Sequence, residues 1–205
     1  MCSYADIIRA VSAVSPEHVL CRSLAHSAST PLRNRITAGG SVAAFPAWSD
    51  FIGPLLLLNA RVELVGKTTG VFPLTDYLTR RELRAGALVT GILTDNFPHL
   101  GLHYRETRTA VDYPAFTITL TVSRDAASFV DPRIVVVGGK ERFKRLVELE
   151  KALNGQAFSI LDTLKVEDFF QVAFPDRKHG SSGYLRHAAL TALTDMLFEV
   201  TGDVR

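Results

Sequence analysis

The residues best suited to hold a ligand lie in one run, Arg33-Asn34-Arg35-Ile36-Thr37-Ala38-Gly39-Gly40-Ser41, followed by Ser49-Asp50. Two adjacent glycines straight after the β-prone pair Ile36-Thr37 let a backbone turn and approach a bulky anionic ligand, because neither carries a Cβ. The acidic Asp50, a short loop later, supplies acceptors for a sugar or polyol hydroxyl. Taken alone, a glycine pair after a strand serves equally as a bulge or a tight turn. Elsewhere the chemistry is sparse. Gly138-Gly139-Lys140 lacks the spacing of either common phosphate-loop fingerprint, and the Lys140–Lys151 charge run reads as the wet face of a helix. The six histidines (His18, His26, His99, His103, His179, His187) show no ligand spacing and read as surface or packing residues. The Arg33/Arg35 and Arg105/Arg108 pairs suit either partner contacts or solvated loops.

The elements that must carry the run are legible from periodicity. Ile7, Ile8, Val11 and Val14 recur at helical spacing over Ala5–Val14, and Pro16-Glu17-His18-Val19-Leu20 reads as the first turn of a second helix after a Ser15 cap. Asp50 is placed to cap a short buried helix from Phe51 to Leu58. Strands are expected at Arg61–Val65, Gly70–Pro73 and Ala87–Leu93, with a short helix or turn at Leu74–Leu78. The polar segment Thr94–His99 is the best place for a domain boundary. Beyond it come strands at Leu100–Thr107, Ala115–Ser123 and Pro132–Val137. The alternation of Phe116, Ile118, Leu120 and Val122 with Thr117, Thr119 and Thr121 implies one buried and one wet face. Helices are expected from Phe143 to Leu153, over Val166–Ala173, and from Gly183 or Tyr184 to Val200.

Composition narrows the classes. The chain has 205 residues, 47% of them hydrophobic, enough for two domains of about 100 residues, each with its own core. With 23 basic against 21 acidic residues, no broad surface for nucleic acid or an anionic membrane is implied. The two cysteines, Cys2 and Cys21, form no ligand pair, which speaks against a metal or iron–sulfur site within the chain. Sparse cysteine suits a reducing cytoplasm, and no apolar run approaches the ~20 residues of a membrane-spanning helix.

From Thr30 to Gly66 the order of features is a basic lead-in, the Thr-x-Gly-Gly turn, a Ser-Asp pair, an apolar helix and the strand Ala60–Val65. This order resembles the FAD-binding (medium) subunit of the molybdenum hydroxylases, the family of xanthine and carbon monoxide dehydrogenases. Later segments are similar too: Thr109-Ala110-Val111-Asp112-Tyr113-Pro114 to the family's loop ending in an Asp-aromatic pair, and Ser181–His187 to the motif opening its last helix. The resemblance implies an α+β fold. Residues 1–98 would be the second subdomain of the FAD-binding domain, and residues 99–205 a C-terminal domain whose three-stranded antiparallel sheet is covered by helices on one face.

By the same resemblance, Thr37, Gly39, Gly40 and Ser41 contact FAD, Asp50 binds a cofactor hydroxyl, and Leu88 lies on the strand beside the isoalloxazine ring, where an ordinary strand leucine is an equal alternative. Ser41 stands where the family has asparagine, and the family's flavin-side lysine falls on Tyr104 or Arg105. Residues of the family's first glycine-rich loop, which holds the diphosphate, precede the matched region, so the chain is expected to be a truncated or split subunit retaining FAD weakly or not at all. The implied partners are the iron–sulfur and molybdopterin subunits of one complex, with a homo-oligomer compatible. The implied role is passing electrons to NAD or another acceptor. The alternatives are a flavin-free assembly subunit and a fragment without independent activity.

Overall fold

The computed structural model describes residues 1–95, 99–110, 112–123, 127–178 and 180–202. Four short helices lead in: α1 (Tyr4–Ser12), α2 (Val19–Ala25), α3 (Thr30–Arg33) and α4 (Ala38–Ala44). Helix α5 (Ile52–Leu57) is followed by strands β1 (Arg61–Gly66) and β2 (Gly70–Pro73), helices α6 (Leu74–Thr79) and α7 (Arg81–Arg84), and strand β3 (Ala87–Leu93). The second half contains β4 (Leu100–Glu106), β5 (Phe116–Ser123), β6 (Val130–Val137), β7 (Phe143–Arg145) and α8 (Val147–Leu153). After a 3-10 turn at Phe158–Asp162 come α9 (Val166–Phe169) and the long α10 (Ser182–Thr201).

Two antiparallel sheets result, ordered β2-β1-β3 and β4-β5-β6-β7. Each has a core of its own. Val62 and Leu64 of β1 point into a cluster with Leu24, Val42 and Ile52, whereas Ile118, Leu120 and Ile134 pack with Leu149, Leu185 and Leu193 beneath α8 and α10. This is the expected α+β build with antiparallel sheets. The segment expected to divide the domains overlaps residues 96–98, which lie outside the described residues.

Several local expectations are corrected. The second sheet has four strands, not three, because Gly138 and Arg142 take left-handed backbone conformations (φ 106° and 63°) that close a hairpin. Phe143 then turns onto the first core instead of opening α8. The threonines of β5 are not wet: Thr117, Thr119 and Thr121 are fully buried, because α5 from the first half lies across that face. Gly53 of α5 comes so close that an added Cβ would sit 3.0 Å from Thr119 Oγ1 and 3.4 Å from Val135 Cγ1. The second sheet is therefore sandwiched between α10 on one face and α5 on the other, not covered on one face only. Helix α2 starts at Val19, capped by His18, whose Nδ1 accepts the Leu20 N–H at 3.2 Å, not at a Ser15 cap.

Candidate functional site

The glycine pair does not sit in a turn. Thr37 caps α4, its Oγ1 accepting the Gly40 N–H at 3.1 Å, so Gly39 and Gly40 form the first turn of the helix. Backbone pairing to the N-terminal segment holds the cap in place: Ala38 N–H donates to Cys2 O at 2.9 Å and Tyr4 N–H to Ile36 O at 3.0 Å. The two glycines differ in the room around them. A Cβ on Gly40 would meet Thr37 Oγ1 at 2.8 Å, whereas one on Gly39 would make ordinary contact, 3.5 Å from the Val89 carbonyl, and narrow the gap between α4 and β3.

That gap opens into a cleft of about 720 Å³, walled by Thr37, Gly39, Gly40 and Ala43 on one side and Leu88–Ile92 on the other, with buried Phe51 and Leu55 at its base. Among the described residues, no side chain lining it is charged. Among the described residues β3 pairs only with β1, so the backbone groups along its other edge face the cleft rather than a strand. Leu88 is 73% exposed at the mouth, a large apolar side chain with little protein around it. The arrangement suits a flat, mostly apolar ring with polar edges: backbone donors and acceptors along β3, and a close-approaching glycine face opposite.

Thr37, Gly39, Gly40 and Leu88 are brought together on this cleft, while Ser41 and Asp50 line a separate crevice of about 140 Å³ across α4. The Ser41 hydroxyl is bonded to the Tyr4 phenol, whose burial pushes its ionisation well above the usual tyrosine range. Asp50 does not cap α5. Ser49 does so instead, its Oγ accepting the Phe51 and Ile52 N–H groups at 3.2 and 3.1 Å. Asp50, 5% exposed, turns to the second sheet, where Arg105 Nε donates to its Oδ1 at 2.7 Å and His103 Nε2 lies 3.4 Å away. Burial opposes ionisation of Asp50, but His103 and Arg105 outweigh it and hold the carboxyl below the ordinary carboxylate range. The guanidinium also donates to the Asp112 carbonyl at 3.2 Å, and His103 Nδ1 lies 2.9 Å from Thr119 Oγ1. His103 is thus a buried network member, not the surface or packing histidine expected from spacing. The paired Arg105/Arg108 motif was the only sequence signal that pointed near it.

Comparisons with known proteins bear on this edge strand and the capped Gly-Gly helix opposite it. Residues 1–94 match the family model described as the FAD binding domain in molybdopterin dehydrogenase. The nicotine 6-hydroxylase medium subunit of Paenarthrobacter nicotinovorans is 28% identical over 167 residues, covering 78% of this chain and 58% of that protein. The chain thus spans less than two thirds of that relative's length. Among solved structures, quinoline 2-oxidoreductase from Pseudomonas putida 86 superposes with a TM-score of 0.84 at 21% identity, covering 99% of this chain and 74% of that one. The reconstituted CO dehydrogenase of Oligotropha carboxidovorans gives 0.81 at 21% identity, over 94% and 70% of the two chains. Both share the fold of this chain.

Proposed function

We propose that this chain takes the isoalloxazine and ribityl portions of FAD into the cleft between α4 and β3 and serves as the electron-transfer subunit of a molybdenum hydroxylase complex. The observation that carries the reading is the cleft itself, about 720 Å³ with no charged lining side chain, bounded by Gly39, Gly40 and the free edge of β3. In this reading Thr37, Gly39 and Gly40 offer a close backbone surface. Leu88 covers the ring's outer face, and the β3 backbone orients the ring's polar edge. Ser41 and Asp50 act across α4, holding the helix rather than touching the ligand. The chemistry supplied by a bound flavin is reversible uptake of one or two electrons, which suits a subunit standing between iron–sulfur clusters and NAD or another acceptor. The iron–sulfur and molybdopterin partners belong to the same proposal, as does a division of the chain near residue 98 into an FAD-binding part and a C-terminal part. The medium-subunit name of the nicotine 6-hydroxylase relative supports them.

The test is a titration of the purified chain with FAD, followed by quenching of flavin fluorescence. Saturable but weak binding is expected, with a dissociation constant of about 1–100 μM, too loose to survive gel filtration. An absence of saturation up to about 1 mM FAD would overturn the flavin reading in favour of a subunit that keeps the fold without the cofactor.

A further inference from the structure

The seven residues from Phe45 to Phe51 join α4 to α5, and both helices shape the cleft, α4 as one wall through Gly39, Gly40 and Ala43 and α5 as its base through Leu55. This connection is gripped at three places, each involving the second half of the chain, with Arg84 of α7 in the first half sharing the first. Its first residue, Phe45, has φ 26° and ψ 63°, a conformation that needs outside support in a non-glycine residue, and its ring lies under two guanidiniums. Arg84 Cζ stands 4.9 Å from the ring centroid, and Arg142, at the tip of the β6–β7 hairpin, 5.6 Å from it. In its middle, Trp48 packs against Tyr113 of the β4–β5 connection with ring centroids 5.2 Å apart. Near its end, Asp50 is held by His103 and Arg105 of β4.

Each of the three grips includes a different segment of the second half, and together they fix both ends of a short connection. A connection fixed at both ends leaves the two helices little freedom to change their separation, because any movement of α4, one wall of the cleft, relative to α5, its base, must move Phe45 relative to Asp50. We infer that the second half acts on the cofactor cleft through this strap, with Arg142, Tyr113 and Arg105 as positioning residues that set the distance between α4 and α5. The ligand side of this inference rests on the flavin reading; the positioning side does not. A surface that bound at Tyr113 or Arg142 would be felt at Gly39 and Gly40 without touching them.

The experiment combines Tyr113→Ala with Arg142→Gln, two exposed residues outside the buried Asp50–Arg105 pair. Amide hydrogen exchange is read first on the flavin-free protein. Exchange over 39–44 should rise by about tenfold while amides of β5 and β6 keep their protection. FAD binding should weaken by about five- to tenfold in the same variant. The pair Tyr113→Phe with Arg142→Lys, which keeps a ring and a cation, should restore both. Trp48→Ala, which removes the Tyr113 contact from the strap side, should reproduce the Tyr113→Ala effect without adding to it. Faster exchange confined to 45–50, with 39–44 unchanged, would overturn the inference, as would loss of protection throughout. If the unmodified chain binds no FAD, the flavin reading falls alone and the exchange pattern still decides the strap.

Discussion

On one side of α4 lies a cleft of about 720 Å³ without a charged side chain in its wall, and on the other a crevice of about 140 Å³ floored by the Asp50–Arg105 pair. The crevice is made of groups that have found one another. Asp50 Oδ1 takes Arg105 and faces His103, His103 reaches Thr119, and Ser49 closes the start of α5. The cleft is made of groups left open: a strand edge with no neighbour, two missing Cβ atoms and a leucine 73% exposed. On the flavin reading, stability and binding fall to opposite faces of one helix. Substitutions in the crevice should therefore cost stability first, and substitutions in the cleft should cost ligand first.

The largest expected effect is Arg105→Ala, which leaves the Asp50 carboxylate buried beside only a histidine. Breaking a buried pair from one side costs about 3–5 kcal/mol, which urea denaturation would register as a clear drop in midpoint. A loss within about 0.5 kcal/mol would mean that water reaches Asp50 and that the contrast with the cleft is wrong. Next comes Gly101→Ala. Its Cβ would lie 2.6 Å from Val19 Cβ and 2.9 Å from Val19 Cα, so α2 must shift off β4. Overpacking of this kind costs about 1–3 kcal/mol, again measured as unfolding free energy, with FAD binding changing only as far as the seam loosens.

These two positions show what was legible beforehand. β1, β2 and β3 followed from their own alternation, since Val62 and Leu64 face a core made mostly of neighbours in sequence. The glycine helix was misjudged as a turn because two adjacent glycines are poor helix formers. Thr37 overrides that propensity by capping them, and packing against β3 adds to it. The dry face of β5 was illegible for another reason: its threonines look solvated until α5, more than 50 residues earlier in the chain, is laid across them. The partner of Asp50 was hidden likewise, 55 residues away and set by strand register. β7 was lost because Phe143 also fits the helical spacing of Leu146 and Leu149.

A smaller effect belongs to acid. His18 caps α2 and packs edge-on against His99 with ring centroids 4.8 Å apart. Burial, and then the neighbouring His99, depresses its pKa from the ordinary 6.5 to about 4. Between those values the unfolded chain binds a proton that the folded one refuses. The His18 contribution is therefore fully present above pH 6.5 and is lost as pH falls toward about 4. With the ring half open to solvent screening, the loss should be about 1 kcal/mol. His18→Asn, which keeps a capping acceptor, should flatten this limb of the stability–pH curve while leaving the deeper acid limb of Asp50, which lies below it, in place. An unchanged curve would show that the His18–His99 contact is open to water.

The smallest stability effect is the sharpest test of the comparison. Leu88 projects from the outer face of the first sheet, directly opposite Val65 in the register, and its side chain lies largely outside both cores. Leu88→Ala removes apolar surface already in water, so the unfolding free energy should move by no more than about 0.5 kcal/mol. A ligand ring packed under that side chain would lose its cover, and FAD should bind about tenfold more weakly, in line with the ~1–2 kcal/mol expected for apolar area uncovered on one face. Leu88→Lys keeps the length but puts a charge at the mouth of an uncharged cleft, and should weaken FAD at least as much without unfolding the protein. If both variants bound FAD like the parent while Gly39→Val abolished binding, the ring would lie against α4 and away from the strand edge. If Leu88→Ala instead lowered stability by several kcal/mol, Leu88 would be buried in solution against something that this cleft, as an open site, has no place for.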